Sequence, residues 1–187
     1  MNTAAFPTGL SLDEALACIA AVAAQRRLPA EQVAIARADG RVLAQDVVAP
    51  IDLPPFRNSA MDGFAIRHAG LVPGTPLRLV GEQFAGIAQG LQVAAGECVR
   101  ITTGAPMPDG ADTVLIREHA REQDGRVWCE TLPATGANVR HAGEDVRAGE
   151  RVLSVGDVLT PARAAVAAAL GIARVDVARR PTVAVFT

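Results

Sequence analysis

The stretch Pro54-Pro55-Phe56-Arg57-Asn58-Ser59-Ala60-Met61-Asp62-Gly63-Phe64 constrains this chain more than any other. Two adjacent prolines fix φ and push the residues before them toward extended backbone, so the chain reaches Asn58 with little freedom left to lose. Asp62-Gly63 then reads as a corner. Glycine tolerates φ > 0, which predicts that Gly63 turns the chain and directs the Asp62 carboxylate outward. An isolated Asp-Gly is ordinarily just the turn that opens a strand, here Phe64-Ala65-Ile66. This one sits between a stiff proline pair and a strand, the setting in which a loop is held rigidly enough to carry function.

The rest of the composition narrows the classes. The chain has 187 residues, half of them hydrophobic, which suffices for one large or two small domains with real cores. Five Phe, one Trp and no Tyr leave packing to Ala, Val, Leu and Ile and supply few rings for stacking on bases. With a formal net charge of -2, no basic excess points to nucleic acid. Cys18, Cys98 and Cys129 are odd in number and widely spaced, giving neither a disulfide framework nor zinc-ligand spacing, so they read as reduced and mostly buried thiols. The N-terminus lacks the pattern of a secretory signal, and the alanine-rich run 162–170 is too short for a membrane span and carries Arg163, so a cytoplasmic protein is expected.

Taken in order, Ser11-Leu12-Asp13-Glu14 is a capping box that starts a helix. Leu12, Ala15, Leu16, Ile19, Val22 and Ala23 give it an apolar stripe, closed by Arg26-Arg27 and the breaker Leu28-Pro29. Plain core packing of that stripe is expected, and a dimer face is compatible with it. Val33 and Ile35 read as strand and Asp39-Gly40 as a turn, while Arg41 to Val48 reads equally as helical turn or strand. From Phe64 to Leu153 short apolar runs alternate with turn signals, at 77–80, 98–101, 113–116, 126–129 and 151–153. Asp124-Gly125 suits a hairpin, and glycines at 81, 86, 90, 96 and 110 suit the corners of a small barrel. Thr160-Pro161 opens a second helix that Gly171 ends, and Arg174 to Val177 reads as a further strand. Residues 181–187 read as a buried parallel strand with no helix after it.

The fold class expected is therefore α+β, mainly β. A small β-barrel-like unit, residues 51–145, is inserted into a discontinuous scaffold of helices and strands, residues 1–50 and 146–180. Residues 181–187 would be the first strand of a third, α/β domain that the chain does not continue into.

Two more clusters join the first as candidates for chemistry. Thr102-Thr103-Gly104-Ala105-Pro106-Met107-Pro108-Asp109-Gly110 offers hydroxyls and free amides for an anion, or is simply a proline-shaped connection. In Asn138-Val139-Arg140-His141-Ala142-Gly143-Glu144-Asp145, Arg140 suits an anion and Glu144 with Asp145 suit a hard cation such as Mg²⁺, or the stretch is a solvated loop. No Ser-His-Asp order, phosphate-binding Walker loop or dinucleotide fingerprint is present.

These clusters together closely resemble the molybdopterin molybdenumtransferase family, which includes MoeA and the E domain of gephyrin. The matching strings are Asn58-Ser59-Ala60-Met61-Asp62-Gly63 after the proline pair, Arg100-Ile101-Thr102-Thr103-Gly104-Ala105-Pro106, and Gly143-Glu144-Asp145, in the family's order, with the resemblance running from about Ser11 to the last residue. It implies an enzyme of molybdenum cofactor biosynthesis that inserts molybdenum from molybdate into adenylylated molybdopterin, releasing AMP with Mg²⁺. It also implies a homodimer whose site lies between the barrel-bearing part of one subunit and the third domain of the other. Carried over by position, Asp62, Thr103 and Asp145 are the expected catalytic residues, Ser59 and Arg140 substrate-binding extensions, and Glu144 a metal ligand. Phe64 stands where many members have Tyr. With only the first half of the family's pattern present, the chain alone is expected to be inactive. A non-catalytic dimerisation or partner-binding scaffold is the alternative.

Overall fold

The computed structural model describes residues 8–25, 28–182, 184 and 185. Helix α1 spans Leu12–Gln25, followed by strand β1, Ala30–Ala34, and a short 3-10 turn, Ile35–Arg37. Then come β2 (Val47–Val48), β3 (Asn58–Ser59), β4 (Gly63–Ile66), β5 (Leu77–Gln83), β6 (Glu97–Ile101) and β7 (Thr113–Ile116). After a second 3-10 turn, Arg117–His119, the chain forms β8 (Ala120–Gln123), β9 (Arg126–Cys129), β10 (Val139–Arg140) and β11 (Arg151–Leu153). It closes with α2 (Pro161–Ala169) and β12 (Arg174–Ala178).

Local signals act as their chemistry requires. The Glu14 carboxylate accepts from the Ser11 backbone N–H and hydroxyl, both at 2.8 Å, and the Glu14 N–H returns a bond to the Ser11 hydroxyl at 3.4 Å. Thr160 caps α2 by accepting from the Arg163 N–H at 3.3 Å, with Pro161 in the first turn. A Thr cap of this kind stabilises a helix by about 1 kcal/mol. Asp124 and Gly125 both take positive φ, 49° and 70°, which makes the β8–β9 hairpin turn expected of Asp-Gly.

Six strands form one sheet in the order β7-β4-β6-β5-β9-β8. Phe64 and Ile66 of β4 pack on one face with Leu77, Cys98, Leu115 and Val127, and Ala65 packs on the other with Val99, Ile101 and Val114. Both faces of β4 are thus buried, so its sequence is continuously apolar rather than alternating. Among the described residues the sheet curls without closing, with β7 and β8 as edge strands, so the small barrel expected from sequence is a half-barrel.

A third core cluster lies elsewhere along the chain, with Ala38, Leu43 and Val47 packing on Leu153, Leu159, Val175 and Val177. Antiparallel pairing of β1 with β12 and of β2 with β11 ties these distant stretches together. The open question over Arg41 to Val48 resolves into isolated bridges at Val42 and Leu43 followed by β2, while Ile35, expected in a strand, enters the 3-10 turn.

Two expectations need correction. No residue of α1 is buried: Leu12, Leu16, Ile19 and Val22 are 75%, 54%, 65% and 61% exposed, so among the described residues the stripe read as core is left uncovered. Residues 181–182 and 184–185 are exposed and form no strand, and Arg26, Arg27, Val183, Phe186 and Thr187 lie outside the described residues. Of the cysteines, Cys98 and Cys129 are buried and Cys18 on α1 is exposed. Burial pushes the Cys98 thiol up to about 12, which keeps it protonated and inert. Among the described residues no helix is long and apolar enough to cross a membrane.

Candidate functional site

The three sequence clusters meet through their backbones. β3 pairs antiparallel with β10, setting Ser59 opposite Val139 and Asn58 opposite Arg140. On its other side Ser59 exchanges bonds with the second cluster, accepting from the Gly104 N–H at 2.8 Å and donating to the Ala105 carbonyl at 3.0 Å. The Ala60 N–H reaches the Asn138 carbonyl at 2.9 Å. The Asn-Ser-Ala-Met-Asp-Gly string is therefore a central rib between the Thr102–Pro106 loop and the Asn138–Arg140 segment.

At the end of that rib, Oδ1 of Asp62 accepts from the Thr103 backbone N–H at 2.7 Å and from the Thr103 hydroxyl at 2.8 Å. The backbone bond from Thr103, then its hydroxyl bond, hold the Asp62 carboxyl below its usual range, with the Arg117 guanidinium adding a smaller pull. Asp62 is exposed and ionised at neutral pH, with Oδ2 free of any partner among the described residues. A carboxylate so held is a weak base. It is suited to accepting a hydrogen bond and orienting a substrate rather than to taking a proton.

The route to this corner differs from the sequence reading. Gly63 does not adopt positive φ; it lies in β4, where a Cβ would sit 2.0 Å from the Leu115 carbonyl oxygen. Glycine is needed because β7 approaches too closely, and Asp62 is aimed by Thr103. Gly143 in the third cluster combines both demands, with φ of 68° and a Cβ position 3.2 Å from Asp52 Oδ1.

Arg140 is engaged twice, by Asp145 Oδ1 at 2.5 Å and by Glu144 Oε1 at 3.5 Å. The hydrogen bond from Arg140 lowers the Asp145 pKa, and the same bond raises that of Arg140. The second oxygen of Glu144 accepts from the His141 N–H at 2.9 Å. Three of the four carboxylate oxygens of Glu144 and Asp145 are thus occupied, and among the described residues no group of three metal-ligating side chains is assembled. As held here, the pair does not fit a resident Mg²⁺, because a guanidinium already occupies the position between the carboxylates. Ser59, expected to touch substrate, is 1% exposed; its hydroxyl donates to the Met61 carbonyl at 2.5 Å and so supports the rib from behind.

The sequence reading missed Arg117 and gave Asn138, the first residue of the third cluster, no role of its own. The Arg117 N–H donates to the Asp62 carbonyl at 3.1 Å, and Asn138 holds a positive φ of 60° with its amide donating to the Val114 carbonyl at 2.9 Å. Asparagine tolerates positive φ better than most non-glycine residues, so the residue type at 138 carried a weak signal of this turn. Arg100 of the second matching string has a sheet role instead: it pairs with Glu122 at 2.5 Å and Glu82 at 3.1 Å and lies 5.9 Å over the Phe64 ring. Phe64 is 2% exposed, with its ring in the core.

Residues 10–171 match the profile of the MoeA N-terminal region (domain I and II). The chain belongs to the MoeA family. It is 38% identical over 158 residues to the molybdopterin molybdenumtransferase of Haemophilus influenzae, covering 84% of this chain and 39% of that protein. It is 41% identical over 160 residues to molybdopterin molybdenumtransferase 2 of Mycobacterium tuberculosis, covering 83% and 40%. The crystal structure of the molybdopterin biosynthesis MoeA protein from Pyrococcus horikoshii superposes with a TM-score of 0.77 at 35% identity, covering 82% of this chain and 42% of that one. The chain thus spans about two fifths of the length of the curated relatives it matches.

Proposed function

We propose that this chain supplies one wall of a molybdenum-transferring site in molybdenum cofactor biosynthesis. The full reaction inserts molybdate into adenylylated molybdopterin with release of AMP. The observation that carries the reading is the Asp62–Thr103 clamp, which joins the first two family strings beside the strand that carries Arg140. In this role Asp62 orients the incoming substrate through Oδ2, Thr103 fixes the carboxylate, and Asp145 with Glu144 holds Arg140 in place.

The charge balance of the wall supports a partial site. Asp62, Glu144 and Asp145 face two guanidiniums, Arg117 and Arg140, and Arg140 is already neutralised. A molybdate dianion gains little from such a surface. The groups that hold it come from another part of a complete site, so the chain alone is inactive. Supplying the chain with adenylylated molybdopterin, molybdate and Mg²⁺ is expected to give no AMP, and any catalytic AMP release overturns that.

The exposed stripe of α1 favours a companion reading, a cytoplasmic homodimer in which the scaffold also serves assembly. Fully covering each of Leu12, Leu16, Ile19 and Val22 would be worth about 1.5–3 kcal/mol, a strong drive toward a partner surface. The division into a scaffold, 1–50 with 146–180, and an inserted unit, 51–145, is part of the same reading. It is supported by the separation of the core cluster around Leu43 and Val177 from the two around β4.

A further inference from the structure

A concavity of about 510 Å³ opens beside the rib, on the flank away from Thr103. Leu115 and Ile116 of β7 and Leu132 with Pro133 give it apolar walls, and His119 and Glu130 stand on its lining. That volume falls within the usual range for small-molecule sites, which combine apolar walls with a few polar groups. Its lining borders residues bonded to the rib. Ile116 precedes Arg117, whose N–H donates to the Asp62 carbonyl, and Asn138, also on the lining, accepts from Ala60.

The far wall is fixed rather than loose. His68 reaches across to it, with Nε2 2.9 Å from the Pro133 carbonyl and Nδ1 2.9 Å from the Thr135 hydroxyl. Because a carbonyl only accepts, Nε2 carries the proton and donates there. The Gly136 N–H donates to the Thr113 hydroxyl at 3.0 Å, and the Cys129 thiol to the Thr131 carbonyl at 2.8 Å. A slot already held open spares a ligand the cost of ordering it.

Glu130 has no cationic partner among the described residues. A carboxylate is acceptor-only, and its two oxygens match a planar edge that presents two adjacent N–H donors. We infer that this cavity binds the pterin ring of the substrate, with Glu130 accepting from the 2-amino group and the adjacent ring N–H while Leu115, Ile116, Leu132 and Pro133 flank the bicycle. This assignment rests on the proposed function and adds the position of the ring relative to Asp62.

The test compares pterin with lumazine, which carries a 2-oxo group in place of the 2-amino group, by titrating each with the chain and following ligand fluorescence. The wild-type chain is expected to bind pterin at least about tenfold more tightly than lumazine, since a polar site rejects an analogue that leaves it unpaired. Glu130→Gln is expected to bring the two affinities within about twofold, because the amide offers one acceptor and one donor. Ile116→Trp, checked for folding by circular dichroism, is expected to abolish both. Absence of saturable pterin binding by the wild-type chain overturns the inference, as does unchanged discrimination in Glu130→Gln. The family reading is tested separately, by turnover of a completed enzyme dependent on Asp62. Failure here with that turnover intact removes the cavity assignment alone.

Discussion

Thr103 directs its backbone N–H and its hydroxyl onto the same oxygen of Asp62, at 2.7 and 2.8 Å, joining two loops that lie 41 positions apart in the chain. Two donors on one oxygen fix the carboxylate's direction as well as its charge. Thr103→Val, which keeps the N–H and removes the hydroxyl, is expected to raise the Asp62 pKa toward the ordinary aspartate value, and Thr103→Ser is expected to leave it low. Carboxyl carbon chemical shifts followed against pH measure both. An unchanged Asp62 titration in Thr103→Val would contradict the clamp.

The same shift has a signature in stability. The folded-state pKa of Asp62 is depressed, so its contribution is complete above the unfolded aspartate pKa and is lost as pH falls through the lower folded value. Denaturant unfolding of the wild type and Asp62→Asn across acidic pH is expected to show a stability difference that shrinks as the medium becomes more acidic. A difference independent of pH would show that the carboxylate's charge has no part in it.

Gly63→Ala tests the close approach of β4 and β7. The new methyl would meet the Leu115 carbonyl at 2.0 Å, with the backbone around it at 3.0 and 3.1 Å and no flexible side chain to yield. A loss of about 1–3 kcal/mol is expected from such overpacking, read as a lower denaturant midpoint. An unshifted midpoint would mean that the strands separate freely at this point.

Arg140→Ala removes the cation shared by Glu144 and Asp145. The Asp145 carboxyl is expected to titrate at higher pH than in the wild type, since the Arg140 hydrogen bond is the main cause of its depression. Calorimetric titration of the wild-type chain with Mg²⁺ alone is expected to show no saturable site at this pair. A one-to-one Mg²⁺ isotherm lost on Glu144→Gln would contradict that.

For α1, Ile19→Glu places a charge in a stripe that no described residue covers. Its effect on the unfolding free energy of the monomer is expected to stay within about 0.5 kcal/mol, as for other exposed positions. Sedimentation is expected to show a wild-type dimer and an Ile19→Glu monomer. A wild-type monomer at all accessible concentrations would remove α1 as a self-association surface for this chain.

What could be read in the sequence was largely local. The capping box at Ser11, the Thr160-Pro161 start and the Asp124-Gly125 hairpin are decided within four residues, and each forms as its chemistry demands. The five strand positions were legible because each is a short apolar run between turn residues. What was not legible depends on distant partners. Nothing near Gly63 announces the Leu115 carbonyl, nothing near Asp62 announces Thr103, and the α1 stripe looks the same whether covered or bare. Whether six strands close into a barrel depends on edge pairing, which periodicity does not encode.

The central claim is that the Asp62 wall of this chain acts in molybdenum insertion. Residues 10–171, the part that matches the family, would replace the corresponding region of the Haemophilus influenzae molybdopterin molybdenumtransferase, and AMP release from adenylylated molybdopterin with molybdate would be measured. The expected result is an active chimera whose rate falls on the order of 100-fold with Asp62→Ala, the scale seen when one fixed polar group is removed from a preorganised site. A chimera that turns over equally well with Asp62→Ala would contradict the account.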